Sequence, residues 1–331
     1  MNNEKKRTVA LIWGGRGRES SVSARGREHI LPLIDSESYS ITEIFIDGDG
    51  NWLIDGDGVF PFRKGFYSPT QNKKYEVDCA IPLLHGDFGE DGRVQGALDN
   101  ADIPYVGCGA AAGAVCRDKA LVKMIARQNG IPTLQSALLL RCEGIDYAVR
   151  QSEEQFSYPV IIKPTSLGSS IGVSRADNRR QLISGLNVAF AMTDRVIIEP
   201  YLSDKRELEC GYFSVKGKEL FTNPGEILHN GLYGYEEKYL DGESRVAIRA
   251  DLSDGIRQSV REYSRRLVRI LGVRDLARVD FFLSGDRLYF NEINTMPGFT
   301  DGSLYAKMLE AEGVVEGRIF PLLIENRISL G

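Results

Sequence analysis

Three oxygen-bearing side chains lie in two apolar runs late in the chain. Asp280 lies within residues 277–283, and Glu292 and Asn294 lie at the end of the run 288–294. Acidic residues are depleted in β-strands, and two carboxylates on neighbouring strands repel one another unless a cation lies between them. Oxygen ligands of this kind suit Mg²⁺, which proteins hold through one or two carboxylates together with substrate phosphates. The pattern predicts a magnesium–nucleotide site, and the alternative is an exposed hairpin whose acids are solvated.

The connection between the two runs decides whether these side chains can face one cation. Alternate residues of a strand share a face. Asp280 and Glu292 therefore face the same side only if the loop between the strands has an odd number of residues, and a two-residue turn would separate them. We expect residues 284–286 to form a three-residue loop with a bulge.

A lysine followed by a loop of small residues predicts a phosphate lid. Lys163 ends the apolar run 158–163 and precedes residues 164–172, Pro-Thr-Ser-Leu-Gly-Ser-Ser-Ile-Gly. Free backbone N–H groups in such a loop can close over phosphates, with the lysine as a point charge. The segment is not a P-loop, because the lysine precedes the glycines. The alternative is a plain surface turn, and the acidic pair downstream favours the lid.

Three other charged residues carry a weaker signal. Glu199 and Glu207 flank a loop after the apolar run 195–199. An acid in this position can accept hydrogen bonds from a ribose, and the loop backbone can read an adenine edge; the alternative is an ordinary charged loop. Lys119 is a candidate for binding phosphate or, equally, a helix-surface lysine.

Composition limits the class of protein. A chain of 331 residues is too long for one ordinary core and should hold two or three domains. A net charge of −5 without a basic tract argues against nucleic-acid or anionic-membrane partners. Five cysteines without metal-type spacing indicate free thiols in a reducing compartment. No apolar run has the length of a signal peptide or a membrane span, so we expect a cytoplasmic protein without nucleic-acid or membrane partners.

The elements that position these residues alternate between strand and helix in the first third of the chain. Residues 8–13 and 79–84 have the pattern of short buried strands that end in glycine-rich turns. This succession predicts an α/β fold with an open parallel sheet, whose ligands gather at the carboxyl ends of the strands. Strands are also expected at 158–163, 195–199 and 207–215, and helices at 118–129, 177–192 and 253–271.

Five motifs, taken together and in this order, resemble the D-alanine–D-alanine ligases of the ATP-grasp superfamily. They are His85-Gly-x-x-Gly-Glu-Asp-Gly92, Pro104-Tyr-Val-Gly-x-Gly109, Asp118-Lys119, Tyr235-Glu-Glu-Lys-Tyr239 and Asn291-Glu-x-Asn-Thr-x-Pro-Gly-Phe-Thr300. The resemblance runs from Val9 to about Gly313. It implies an N-terminal α/β domain at 1–107, followed by an α+β ATP-grasp fold with subdomains at 108–200 and 201–331.

The activity that the resemblance implies is the ATP-dependent joining of two D-alanines for peptidoglycan precursors. ATP would phosphorylate the first D-alanine's carboxylate, and the second D-alanine's amine would attack the acyl phosphate. Positioning and charge neutralisation would supply most of the catalysis. The family usually forms homodimers, and so a homodimer is expected.

Residue roles on the nucleotide side follow from the resemblance alone. Phosphates would be bound by Lys119, Lys163, Ser170 and Lys238, the adenine edge by Glu199 and Leu202, and the ribose by Glu207. Asp280, Glu292 and Asn294 would hold two Mg²⁺ ions, for which Mn²⁺ can substitute.

Roles on the amino-acid side also follow from the resemblance. Glu19 would receive the first D-alanine's ammonium and hydrogen-bond with Ser169 and Tyr239. Arg278 and the Gly298 backbone N–H would form the oxyanion site. The second carboxylate would be held by Ser303 and the backbone at Leu304. His85 would lie nearby, and the alternative for it is a strand-end histidine bonded to loop backbone.

The departures from the family pattern concern the amino-acid pocket. Gly17 replaces a small hydroxyl residue, Ser20 stands where histidine or arginine is common, and Asp301-Gly302 replaces Ser-His or Ser-Arg. Alternatives are a D-Ala–D-Ser, D-Ala–D-Lac or specialised-pathway ligase, or another ATP-grasp ligase for glutathione or carboxylation chemistry. A non-catalytic nucleotide-binding module would have lost a metal ligand or a phosphate lysine.

Overall fold

Seven strands near the N-terminus form one sheet in the computed structural model, which describes residues 6–228, 245–300 and 303–330. They are β1 (Arg7–Gly14), β2 (Tyr39–Ile46), β3 (Trp52–Ile54), β4 (Asp57–Pro61), β5 (Gly65–Ser68), β6 (Lys73–Glu76) and β7 (Cys79–Pro82). The order is β6-β5-β4-β3-β2-β1-β7. β1 pairs in parallel with β2 and β7, whereas β3 to β6 extend the sheet antiparallel. The predicted parallel sheet is confirmed for β2, β1 and β7, which lie together at one end of this order.

β1 shows why the run 8–13 is apolar throughout. Val9 and Leu11 pack into one core, and Ala10 and Ile12 pack into another. A strand buried on both faces loses the alternation of a half-exposed strand. The helices that follow the glycine-rich turns are α1 (Ser20–Ile30) and α2 (Arg93–Asn100).

A four-stranded antiparallel sheet lies in the middle of the chain, in the order β10-β9-β11-β8. Its strands are β8 (Ala137–Leu140), β9 (Val160–Pro164), β10 (Ser174–Ala176) and β11 (Arg195–Pro200). Their apolar side chains pack against α5 (Ile145–Gln155) and α6 (Arg179–Phe190). The strands predicted at 158–163 and 195–199 and the helix predicted at 177–192 are confirmed within a few residues.

The third sheet has the order β15-β14-β12-β16-β17, with β13 paired to β12. Its strands are β12 (Arg206–Val215), β13 (Lys218–Phe221), β14 (Gly225–Leu228), β15 (Arg245–Ala247), β16 (Leu276–Ser284) and β17 (Arg287–Asn294). One face packs against α7 (Asp254–Leu271), α3 (Ala110–Arg117) and α4 (Lys119–Gln128). Residues 110–128 therefore lie over the third sheet, and the division at 107 and 200 stays a prediction.

The hairpin of β16 and β17 reaches the predicted geometry by a different route. Ser284 pairs with Arg287, so the turn has two residues and the predicted three-residue loop is wrong. The pairing shifts by one residue between Asp280 and Phe281, because β17 has a bulge there. Asn291 is the extra residue of β17 and has no partner in the β16 register. An extra residue restores the parity that the short turn removes. Asp280 and Glu292 then lie directly opposite one another, so the expectation that they share a face is confirmed.

The chain ends in two helices that return to the first sheet. α8 (Leu304–Ala311) and α9 (Glu316–Leu330) place Leu309, Phe320 and Leu323 in the same core as Val9 and Leu11. The five cysteines are free thiols, as predicted. Within the described ranges, no helix is long and apolar enough to cross a membrane.

Candidate active site

A cavity of about 850 Å³ opens where the three sheets meet. Every predicted site residue within the described ranges lines it: Glu19, His85, Lys119, Lys163, Ser169, Ser170, Glu199, Leu202, Glu207, Arg278, Asp280, Glu292, Asn294, Gly298, Ser303 and Leu304. Lys238 and Tyr239 lie outside the described residues. Residues far apart in the chain are thus brought to one site.

Glu199 is fully buried between two lysines at one end of the cavity. Its Oε2 lies 2.7 Å from Lys163 Nζ and its Oε1 lies 2.6 Å from Lys123 Nζ. Burial alone raises the pKa of Glu199, but the two ammonium groups outweigh it and lower the pKa to about 2. The Lys123 pKa is lowered by burial against the opposing effect of Glu199. The trio carries one net positive charge, which suits the anionic part of a nucleotide.

The N-terminus of α4 positions the other predicted phosphate lysine. Asp118 caps this helix by accepting hydrogen bonds from the backbone N–H groups of Ala120 and Leu121, at 2.9 and 3.0 Å. Lys119 Nζ donates to the Leu167 carbonyl at 2.8 Å and lies 3.1 Å from Glu292 Oε2. Lys119 therefore links the predicted lid to the acidic hairpin.

A row of three carboxylates crosses the third sheet. Glu209 on β12 lies opposite Asp280 on β16, and Asp280 lies opposite Glu292 on β17. Arg278 donates to both carboxylate oxygens of Asp280 at 2.8 Å, and its Nε lies 3.2 Å from Glu209 Oε1. Burial lowers the pKa of Arg278, but these acids outweigh it and raise the pKa well above its ordinary value. The guanidinium remains charged beside the row.

The donor set of this row fits magnesium. Asn294 Nδ2 donates to Asp280 Oδ2 at 3.0 Å, which leaves the amide oxygen of Asn294 on the same face as both acids. Among the described residues no three His, Cys, Asp or Glu side chains form a metal-binding group. A cation here would therefore rely on two carboxylates, one amide oxygen and oxygens of a bound phosphate, which is the usual environment of Mg²⁺.

Leu202 and Glu207 lie on the loop side of the cavity, after β11 and at the start of β12. Glu207 forms an ion pair with Lys205. The Lys205 ammonium lies 4.4 Å from the centre of the Phe282 ring. These contacts hold the Glu207 carboxylate at the wall of the cavity.

Glu19 lies at the opposite end of the cavity, immediately before α1. Ser169 Oγ donates to Glu19 Oε1, as the resemblance implies. Arg117 Nη2 lies 3.2 Å from Glu19 Oε2, and Arg117 Nη1 lies 3.4 Å from Glu90 Oε2. A Cβ on Gly168 would lie within 2.9 Å of both Glu19 carboxylate oxygens, so the lid backbone passes directly over this carboxylate.

His85 is buried where β7 ends, close to Glu19. Burial lowers the pKa of His85 to about 4, against the opposing effect of the Glu19 carboxylate. The imidazole forms a hydrogen bond with the backbone of Met296. Its Nε2 has no hydrogen-bond partner among the described residues. The imidazole is therefore neutral at physiological pH.

Gly298, Ser303 and Leu304 lie together at the start of α8. The Thr300 backbone N–H donates to Ser303 Oγ at 2.9 Å, and a Cβ on Gly298 would lie 3.6 Å from that oxygen. The first N–H groups of a helix have no intrahelical acceptor and suit a carboxylate. Asp301 and Gly302 lie outside the described residues.

The departure at Gly17 has a steric cause. A Cβ on this residue would lie 2.9 Å from the Asp87 carbonyl oxygen. The loop 85–92 therefore packs against the Gly17 backbone and leaves no room for a hydroxyl side chain.

Sequence reasoning missed four charged residues of the site: Glu90, Arg117, Lys123 and Glu209. Two of them carried a signal. Lys123 lies four residues after Lys119 on one helix, and residues at this spacing share a face. Glu209 lies two residues after Glu207 on one strand, and these also share a face. Glu90 lies in the motif 85–92 that carries the resemblance, but it was given no role. Arg117 carried no signal, because it meets its partners only through tertiary packing.

Comparisons with known proteins agree with this arrangement. Family models described as D-ala D-ala ligase N-terminus and D-ala D-ala ligase C-terminus match residues 8–108 and 125–326. The D-alanine–D-alanine ligase of Caldicellulosiruptor bescii is 35% identical, over 98% of this chain and 96% of that protein.

Two solved structures have the same fold over nearly the whole chain. D-alanyl-alanine synthetase A from Vibrio cholerae has a TM-score of 0.89 at 27% identity, covering 98% of this chain and 99% of the other. The VanG D-Ala:D-Ser ligase from Enterococcus faecalis has a TM-score of 0.86 at 27% identity, covering 98% and 100%. The chain belongs to the D-alanine–D-alanine ligase family.

Proposed function

We propose that this protein joins two D-alanine molecules into D-alanyl-D-alanine for peptidoglycan precursor synthesis, with ATP converted to ADP and phosphate. A carboxylate oxygen of the first D-alanine bonds to the γ-phosphorus as the bond to ADP breaks. The amine of the second D-alanine then bonds to the acyl carbon, and the bond to phosphate breaks. The amine proton is lost to solvent.

The observation that carries this proposal is the composition of one cavity. Its nucleotide end has Lys119, Lys163 and a row of carboxylates, with Lys123 buried against Glu199, and its other end has a buried carboxylate, Glu19, under the serine lid. An enzyme that phosphorylates an amino acid must bind ATP and the amino acid in one cavity, so that the γ-phosphate reaches the amino-acid carboxylate. Positioning and charge neutralisation then lower the barrier.

On the nucleotide side, Lys119, Lys163 and Ser170 bind phosphates, with Lys238 near the γ-phosphate. Glu199 and Leu202 contact adenine, and Glu207 contacts the ribose. Asp280, Glu292 and Asn294 would hold two Mg²⁺ ions, for which Mn²⁺ can substitute. Bound magnesium neutralises phosphate charge.

On the amino-acid side, Glu19 binds the first ammonium, and Ser169 and Tyr239 hold the lid over it. Arg278 and the Gly298 N–H stabilise the oxyanion, since Arg278 keeps its charge beside Asp280. Ser303 and the Leu304 N–H bind the second carboxylate. His85 lies beside Glu19 as a neutral imidazole.

A second candidate is a ligase that accepts D-serine as the second substrate. The fold it shares with the Enterococcus faecalis enzyme favours this candidate. We expect the second-substrate pocket around Ser303 and Leu304 to decide between the two functions.

The test is Mg²⁺-dependent ADP release by the purified chain. We expect D-alanine alone to stimulate release and to give the dipeptide, with D-serine or D-lactate adding little. Release that needs D-serine would move the assignment to the second candidate. No stimulation by any D-amino acid would contradict both.

We further propose that the chain forms a homodimer in the cytoplasm and has three units, at 1–107, 108–200 and 201–331. Each of the three sheets falls within one of these ranges, which supports the division, whereas α3 and α4 of the second range pack against the sheet of the third. Sedimentation equilibrium would give twice the chain mass if the dimer forms.

A further inference from the structure

We propose that Arg117 is a positioning residue for the first amino acid: it aims the Glu19 carboxylate and sets the net charge that meets the substrate ammonium. The proposal rests on the proposed function, because that function makes Glu19 the ammonium receptor. Arg117 lies at the end of α3, on a different part of the chain from both of its main partners.

The contacts show a guanidinium shared between two buried acids. Arg117 Nη2 lies 3.2 Å from Glu19 Oε2, and its Nη1 lies 3.4 Å from Glu90 Oε2. All three side chains are 9% exposed. Glu90 also accepts a hydrogen bond from the Gly86 backbone N–H at 2.9 Å, which fixes it to the loop 85–92. Arg117 therefore ties Glu19 to a rigid acceptor on that loop.

The lid depends on the same group. Ser169 donates to the Glu19 oxygen that Arg117 does not bind. A Cβ on Gly168 would lie 2.8 Å from Arg117 Nη1. The lid backbone thus rests on the Arg117–Glu19 pair, and Glu19 keeps one orientation because both of its oxygens have partners.

Within the group of Glu19, Arg117 and Glu90, the charges leave one negative charge for an ammonium. Glu19 and Glu90 contribute two, and Arg117 removes one. Asp87, 3.7 Å from Arg117, is 36% exposed and screened by water. His85 is neutral, and Arg278 is engaged by Asp280 and Glu209. Burial raises the pKa of Glu90, against the opposing effect of Arg117.

Removing the guanidinium would leave two like charges in a buried space. Two such carboxylates cannot both stay ionised, and they share a proton. Glu19 would then share one negative charge with Glu90, and it would lose the contact that aims it. Neutralising Glu90 as well restores the single negative charge, which a purely structural role of Arg117 would not predict.

The experiment compares Arg117→Met, Arg117→Lys and the double variant Arg117→Met/Glu90→Gln in the full chain. We expect Arg117→Met to raise the KM for D-alanine about tenfold or more, a loss of one charged contact, and to leave the KM for ATP within about twofold. The double variant should recover most of the D-alanine KM, and Arg117→Lys part of it. Arg93→Met is the matched control, because Arg93 is exposed on the same loop region and pairs with Asp91 at 3.5 Å.

A second readout needs no activity. Burial raises the pKa of Glu90 and Arg117 opposes this effect, so we expect the pKa of Glu90 to rise further in Arg117→Met. The stability that depends on its protonation is greatest at low pH and is lost as pH rises through that pKa. The melting temperature of Arg117→Met should therefore fall from pH 5 to 8 relative to the native chain, and Glu90→Gln should abolish the fall.

An unchanged D-alanine KM in Arg117→Met, or a double variant that recovers neither readout, would overturn the proposal. A native chain that D-alanine does not stimulate would instead remove the proposed function, and the melting curves would still decide whether Arg117 holds the two acids.

Discussion

Glu199 and Lys123 form a buried ion pair, and Lys163 is the second lysine in contact with Glu199. The Glu199 side chain is 1% exposed and the Lys123 side chain 0% exposed. Lys163 Nζ still lies 2.7 Å from Glu199 when Lys123 is removed, so the loss is that of one charged hydrogen-bond contact, which is worth about 1.5–3 kcal/mol. Lys123 therefore stabilises the fold and also keeps Glu199 ionised for its proposed contact with adenine.

We expect Lys123→Met to lower the free energy of unfolding by about 1.5–3 kcal/mol and to raise the Kd for ATP about tenfold. Urea denaturation and calorimetric titration with ATP measure the two effects. Arg127→Met on the same helix is the control, since Arg127 is exposed. A Kd that stays constant in Lys123→Met would show that Lys163 alone orients Glu199.

His85 gives a pH dependence with a defined sign. Its pKa is about 4 in the folded chain, chiefly because of burial, against an ordinary value of 6.5. A lowered pKa contributes stability that is present above 6.5 and is lost as pH falls towards 4. The loss amounts to up to about 3 kcal/mol. We expect His85→Gln to lack this component, so its stability should fall less than that of the native chain between pH 6.5 and 4. Urea titrations at several pH values give the free energy of unfolding of both chains. The same decrease with falling pH in both would contradict this expectation.

The hairpin of β16 and β17 shows how elements convert sequence spacing into a site. Deleting Asn291 removes the extra residue of the bulge, yet Phe281 still pairs with Phe290 and Asp280 still pairs with Glu292. We therefore expect this deletion to keep the fold and Mg²⁺-dependent nucleotide binding. Its ATP affinity should fall only as far as in Asn291→Ala, because both lose the oxygen that lies 3.3 Å from Lys163 Nζ.

Deleting Tyr289 is the matched control. It also shortens β17 by one residue, but it turns Phe290, which is fully buried, to the opposite face. Losing a buried phenylalanine costs about 3–5 kcal/mol, so circular-dichroism melting should separate the two deletions. Equal destabilisation by both would show that the bulge itself is required.

The same hairpin shows how much the sequence predicts. Asp280, Glu292 and Asn294 were recognisable because acids are rare in apolar strands, and their shared face is confirmed. The bulge was not recognisable, since nothing in the type of Asn291 distinguishes an extra residue from a paired one. Arg117 was missed for a related reason. Its partners Glu19 and Glu90 are distant in the chain, and only tertiary packing brings them together.

At the scale of the whole molecule, one buried carboxylate joins three distant segments. Asp275 is 1% exposed, and its two carboxylate oxygens accept hydrogen bonds from the guanidinium of Arg327 on α9. Arg327 Nε lies 2.7 Å from Asp275 Oδ2. It also accepts a hydrogen bond from the Gly107 backbone N–H at 2.8 Å. The segment between α2 and α3, the start of β16 and the last helix are therefore fixed to each other outside the cavity. The nucleotide and amino-acid ends of the cavity need this frame, because they lie on different sheets.

We expect Arg327→Met to lower the free energy of unfolding by about 3–5 kcal/mol, because it leaves Asp275 buried without its cation. The KM values for D-alanine and ATP should stay within about twofold at a temperature where the variant is folded, since Arg327 does not line the cavity. Arg318→Met on the same helix, where the side chain is exposed, should change stability by no more than about 0.5 kcal/mol. Urea denaturation and steady-state kinetics on the three chains measure both effects. If Arg327→Met raised either KM in proportion to its loss of stability, the frame and the cavity would be coupled, and the ends of the cavity would move when Asp275 loses its partner.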